Sequence, residues 1–168
     1  MLFRSGGISH LAGAMFAHMT GTSMVHIPYR GEAAALTDLL AARTQLQFPS
    51  PLNARPHILA GRLRALAVTA GKRSAASPEL PTIAEAGIPG YEVEQWYGVV
   101  TSPRVARATV DKLSAEFALS ARTADLVQRL QTDGLEAAAS RPDVFTQHIR
   151  TEITKWRKLV NDAGLKLQ

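Results

Sequence analysis

Between Ser9 and Thr69 the hydrophobic residues switch back and forth between two periods, and few folds accommodate that rhythm. Leu11, Met15 and Met19 recur every four residues, as on one face of a helix whose N-cap would be Ser9. Val25 and Ile27 alternate with Met24 and His26, as in a strand. Glu32 to Ala42 is helical again, with Leu36, Leu39 and Leu40 on one side. Gln45 to Phe48 reads as a second strand, stopped by Pro49-Ser50-Pro51. A further helix ends at Ala60, where Gly61 suits the left-handed position that closes helices. Arg64 to Thr69 then has the character of a buried strand. This order predicts an α/β fold: a parallel or mixed sheet with strands near 24–29, 45–48 and 64–69, flanked by helices near 9–20, 32–42 and 52–60.

The texture then changes. Gly71 to Tyr91 is rich in proline and glycine and reads as a structured loop carrying a short helix near Thr82 to Ala86. Glu94 to Thr101 is expected as a strand that leaves the α/β region formed by the preceding residues, and the shift around residues 93–103 is the best candidate boundary. Beyond Pro103 the periods are helical. Val110, Leu113 and Phe117 mark one helix, Ala124 to Leu130 a second, and Leu135 to Ala139 a short strand. The last helix carries Phe145, Ile149, Ile153, Trp156 and Val160 on one stripe.

Chemistry is easier to exclude than to assign. The formal charge of +5 is scattered, without interleaved aromatics or a recognisable motif, so no nucleic-acid partner is expected. His10, His18, His26, His57 and His148 show no metal-binding spacing, there is no cysteine, and no metal or cofactor is expected. Ser9 and His10 are helix neighbours and do not face each other, so they are not a nucleophile and its base. Glu92 and Glu94 share a strand face and read as solvated rather than as a paired acid and base. With no GxSxG, GxxxxGK[ST] or GxGxxG, the chain is not expected to be an enzyme.

Two turns remain. Gly6-Gly7-Ile8-Ser9 opens the first helix, and Tyr29-Arg30-Gly31-Glu32 opens the next. Each places backbone N–H groups and the positive end of a helix beside small or cationic residues, an arrangement suited to an anion. Simple caps and tight turns would look the same. Open α/β sheets bind ligands at the carboxyl ends of their strands, which favours the functional reading.

SHLAGAMF, VHIPYRG followed by AALTDLLAAR, PHILAGRLRALAVT, the run from Lys72 to Val100 and the closing EITKWRKLVNDAGL resemble, in register, the tripartite tricarboxylate transporter substrate-binding proteins, also called the Bug family. The resemblance implies a type II periplasmic-binding-protein fold, whose two α/β lobes close on a small carboxylate delivered to membrane transporter subunits. It implies that residues 1–93 form the second lobe. Residues 94–168 would be the hinge strand and the C-terminal helical part of an incomplete first lobe. The family's ligand loops map onto Gly6, Gly7, Ser9 and His10, onto Tyr29, Arg30, Gly31 and Ala33, and onto Phe48 and Ser50. Periplasmic localisation is implied by the family, although the start of the chain lacks a signal-peptide pattern.

Pro49 and Glu32 depart from the family's usual small polar residues, and Glu32 sets a negative charge beside the expected anion site. The upstream jaw of the first lobe is expected to be missing, which leaves carboxylate binding weak. The apolar stripe of the last helix would then need a partner, and a homodimer is expected. The alternative expectation is a truncated remnant without transport function that serves as an assembly or dimerisation domain.

Overall fold

The computed structural model describes residues 6–165 and resolves two compact units. The first comprises the described chain up to Gln95 together with the segment from Lys158 onward; the second is Trp96–Arg157. Residues 1–5 and 166–168, the ends of the two expected regions, lie outside the described residues.

In the first unit the helices fall where the periods place them. These are α1 (Ile8–Thr20), α2 (Glu32–Leu40) and α3 (Pro51–Leu59), with α2 packed on α3. Gly21 closes α1 at φ 66°, and Gly61 follows α3 at φ 68°. There the Arg62 N–H reaches back to the His57 carbonyl at 2.8 Å, satisfying an end carbonyl that the helix leaves open. Ser9 is not the N-cap of α1. Gly7 takes that position, and its carbonyl accepts from the Leu11 N–H at 3.0 Å. A flexible glycine sets the helix start two residues earlier than a cap at Ser9 would.

The core of this unit is aromatic and small. Tyr91 is 1% exposed and donates its hydroxyl to the Ala12 carbonyl at 3.0 Å. Phe16 lies between the Tyr91 and Phe48 rings, at centroid distances of 6.3 and 6.2 Å. A Cβ at Gly13 would sit 3.5 Å from the Phe48 ring, ordinary van der Waals contact. The buried face of α1 therefore centres on Ala12, with Met19 at its exposed end, because close approach to two rings selects small residues.

The sheet is the principal departure. Among the described residues no strand forms at 24–29, 45–48, 64–69, 94–101 or 135–139. Pairing reduces to a parallel bridge between Val68 and Thr82, supported by Val68 N–H to the Pro81 carbonyl (2.9 Å) and Ile83 N–H to the Val68 carbonyl (3.0 Å). The Val93 N–H adds a bond to the Thr69 carbonyl at 2.8 Å. Alternation decides which face a side chain takes, whereas a ladder needs a neighbouring backbone along its whole length. Val25 and Leu66 accordingly stand 85% and 61% exposed. The short helix expected near Thr82 is a single turn closed by a capping box. The Thr82 N–H donates to Glu85 Oε2 (2.9 Å) and the Glu85 N–H to Thr82 Oγ1 (3.0 Å).

The second unit holds α4 (Arg107–Ser120), α5 (Ala124–Thr132) and most of α6 (Pro142–Asp162). Trp96 meets Phe145 and His148 edge-on at 5.4 and 5.2 Å. A Cβ at Gly98 would lie 2.0 Å from the tip of the Phe145 ring, so any other residue there would displace that ring. The α6 stripe is half-buried along Phe145, Ile149 and Trp156, while Ile153 is 50% exposed. Buried Glu152 accepts from the Trp156 indole (2.9 Å) and Lys155 (3.0 Å). Burial raises its pKa, but those two donors outweigh it and hold the carboxyl below its ordinary value.

Because Tyr91 joins its loop to α1 by one hydroxyl in a dry core, Tyr91→Phe is expected to cost about 1 kcal/mol. Tyr91→Ala, which also opens a cavity, is expected to cost about 3–5 kcal/mol. Urea denaturation followed by circular dichroism checks both, and a Phe variant as stable as the parent would mean the bond contributes nothing net.

Candidate carboxylate site

Three turns carry the expected site, and all lie in the first unit. The α1 turn is organised by histidines. Gly6, at φ 97°, donates its N–H to His10 Nδ1 at 3.0 Å, and the His10 ring stacks on His26 with centroids 4.0 Å apart. Burial first, then the neighbouring His26, lowers the His10 pKa; burial lowers that of His26. Gly7 is the N-cap, and Ser9 is half-buried in the first turn of α1. With no side-chain cap at Gly7, the first-turn N–H groups keep the positive helix end unneutralised.

The α2 turn is held from behind. The Tyr29 hydroxyl donates to Asp38 Oδ2 at 2.9 Å, and Arg43 pairs with Asp38 at 3.0 Å. Hydrogen bonds from Tyr29 and then Arg43 lower the Asp38 pKa. Tyr29 is thus committed to fixing the turn. Arg30 is exposed, Gly31 is an extended N-cap without a side-chain bond, and Ala33 is exposed in the first turn of α2.

The α3 turn joins the second. Phe48 is spent on the core against Gly13 and Phe16. Ser50, the N-cap of α3, meets Glu32 from the start of α2: its N–H donates to Glu32 Oε1 and its hydroxyl to Oε2 at 3.0 Å. Asn53 Nδ2 adds a bond to Glu32 Oε2 at 2.8 Å and one to Ser50 Oγ at 3.1 Å. The structure therefore brings the second and third turns together through a carboxylate of the chain itself. The first turn is tied through His10 to the segment that leads into the second.

Asn53, His26 and Asp38 were not singled out as site residues from sequence. Ser50 and Asn53 stand three apart at a helix start, which places both near one end of α3 and was the available signal for Asn53. Among the described residues no group of three or more His, Cys, Asp or Glu side chains is placed to hold a metal ion. No described helix is long and apolar enough to cross a membrane. An open hollow along α6, lined by Asp143, Val144, Gln147, His148 and Thr151, contains none of the expected site residues.

Comparison with known proteins points one way. Residues 3–165 match the Tripartite tricarboxylate transporter family receptor. A UPF0065 protein from the tcbD-tcbE intergenic region of a Pseudomonas species is 38% identical over 97% of this chain and 50% of its own length. Among solved structures, the R. palustris protein Rpa4515 with adipate has a TM-score of 0.85 at 34% identity, over 95% of this chain and 54% of that one. The periplasmic binding protein BugD gives 0.80 at 30%, over the same shares. MatC from Rhodopseudomonas palustris with bound malate gives 0.76 at 26%, over 92% and 54%. The chain thus spans about half the length of these relatives, and its fold is that of periplasmic binding proteins.

The histidine stack has a pH consequence. Both rings have folded pKa values below the ordinary one near 6.5, so the unfolded chain binds their protons more readily. Their contribution is fully present above about pH 6.5 and is lost as pH falls through the lowered folded values. The urea midpoint is expected to drop between pH 7.5 and 5, and less steeply in His26→Gln. Parallel pH profiles for the two proteins would show the stack to be energetically silent.

Proposed function

Because the chain belongs to the tripartite tricarboxylate transporter receptor family, we propose that it recognises a small carboxylate for uptake, as a periplasmic solute-binding protein or a truncated form of one. The observation that carries this reading is the likeness, over nearly the whole chain, to a protein seen with adipate. Residues 1–93 are assigned to the second lobe and 94–168 to the hinge and the C-terminal part of the first. The contacts are assigned to the first-turn N–H groups of α1 and α2 near Gly7 and Gly31, with Ser9, Arg30, Ala33 and Ser50 around them. Gly6, His10, Tyr29 and Phe48 shape the turns, since their polar or aromatic groups are already engaged. Binding and release are the whole task assigned to the site; no bond is made or broken.

The chain spans about half the length of its relatives, and a carboxylate held by these turns alone keeps much of its hydration, with donors that work against water of high dielectric. Calorimetric titration with adipate, malate and citrate is expected to give millimolar Kd values for at least one of them, about −4 kcal/mol. No heat or chemical-shift change from any of the three at tens of millimolar would refute the reading. Submicromolar binding by a monomer would show that this half of the clamp suffices.

A second reading, assembly rather than transport, is favoured by exposed apolar residues on segments that form no strand among the described residues. Val25, Val99 and Val100 are 85%, 66% and 77% exposed, and extended chain carrying such side chains invites pairing with another chain. A homodimer is the expected form. Light scattering over a dilution series should give twice the monomer mass at high concentration; a mass that stays at 18.1 kDa throughout removes this reading.

A further inference from the structure

The Glu32 carboxylate sits as a bound ligand carboxylate would. Its two oxygens accept from one backbone N–H, one hydroxyl and one amide, all belonging to the start of another helix. It comes from 18 residues away, so this is not the local reach of an ordinary helix cap. Ser50, its main partner, is among the residues that the family resemblance assigns to the ligand. The seat is polar and filled by the protein, with Glu32 and Ser50 half-buried and Asn53 exposed.

We propose that Glu32 is an internal competitor for the carboxylate position, occupying the Ser50 and Asn53 donors and so setting how readily this chain takes an anionic ligand. The inference rests on the carboxylate-binding reading above. Two effects act in the same direction. The donors are unavailable until Glu32 swings away, and while it stays its charge repels a second carboxylate approaching the adjoining start of α2. Glu32 at that helix start also interacts favourably with the α2 dipole, so the filled seat is a low-energy state of the empty protein. A ligand that presents a neutral, hydrogen-bond-donating group there is spared the competition, because Glu32 can accept from it.

Glu32→Ala leaves the Ser50 N–H, the Ser50 hydroxyl and the Asn53 amide facing a vacancy the size of a carboxylate group. Acetate is the direct probe. At tens of millimolar it is expected to raise the melting temperature of Glu32→Ala and to shift the Ser50 amide resonance, with neither effect in the parent. Adipate is expected to bind the variant at least tenfold more tightly. Glu32→Ala/Ser50→Ala should forfeit that gain, whereas a general loss of negative charge would preserve it. If Glu32→Ala does not fold, Glu32→Gln, which keeps the reach and one acceptor while dropping the charge, should bind adipate severalfold more tightly than the parent. Equal adipate affinity in parent and variants overturns the inference and leaves the carboxylate reading intact. Absence of adipate, malate and citrate binding in every protein overturns both.

Discussion

The first unit depends on a single dry contact, the Tyr91 hydroxyl on the Ala12 carbonyl. Burial pushes the phenol pKa far above its usual value, so the group is a neutral donor at any pH where the protein is folded. Its partner carbonyl lies in the middle of α1, so the bond fixes that helix relative to the Gly71–Tyr91 loop. Phe16 and Phe48 complete the same cluster, and Phe48 stands two residues before Ser50. Core packing thus locates the middle of α1 and the segment leading into α3 together. The expected ligand turns inherit their positions from a hydrophobic cluster that contains little of the polar chemistry they would use.

That division of labour explains why several expected contact residues are already engaged within the protein. Tyr29 is turned to Asp38, His10 to the Gly6 N–H, and Phe48 to the core. A residue type that recurs at a binding turn can be there to shape the turn, and hydrogen-bond partners separate the two roles where sequence cannot. Backbone N–H groups at Gly7 and Gly31 keep the capacity for an anion because their residues have no side chain to cap with.

The helices were legible because their determinants are local. A period of about four, a glycine just past the end, and a proline at the start identify α1, α2 and α3 to within a few residues. The sheet was not, because pairing is settled by backbone distant in sequence; the Arg64–Thr69 segment keeps only the contacts around Val68 and Thr69. The expected turns were legible at intermediate depth. Tyr29-Arg30-Gly31-Glu32 reads as a strand-to-helix turn suited to an anion, and Glu32 as a charge out of place there. That this charge finds Ser50 and Asn53 is a fact of the α2–α3 packing, and no spacing announces it.

The strength of that link can be weighed against a free ligand. Hydrogen bonds to a charged group are each worth roughly 1.5–3 kcal/mol net, and Glu32 takes three from the α3 turn. A free carboxylate would make the same bonds but would also lose translational and rotational freedom, a cost of several kcal/mol that a side chain on the same unit has largely met already. Tethering is equivalent to an effective concentration of millimolar or more. An anion that binds only millimolar therefore cannot displace Glu32 by mass action at ordinary concentrations. Occupation of the α3 turn by ligand requires contacts elsewhere, at the starts of α1 and α2, strong enough to draw the carboxylate in after the first attachment. On the proposed carboxylate reading, the N–H groups at the starts of α1 and α2 would meet a ligand before the Ser50–Asn53 seat does.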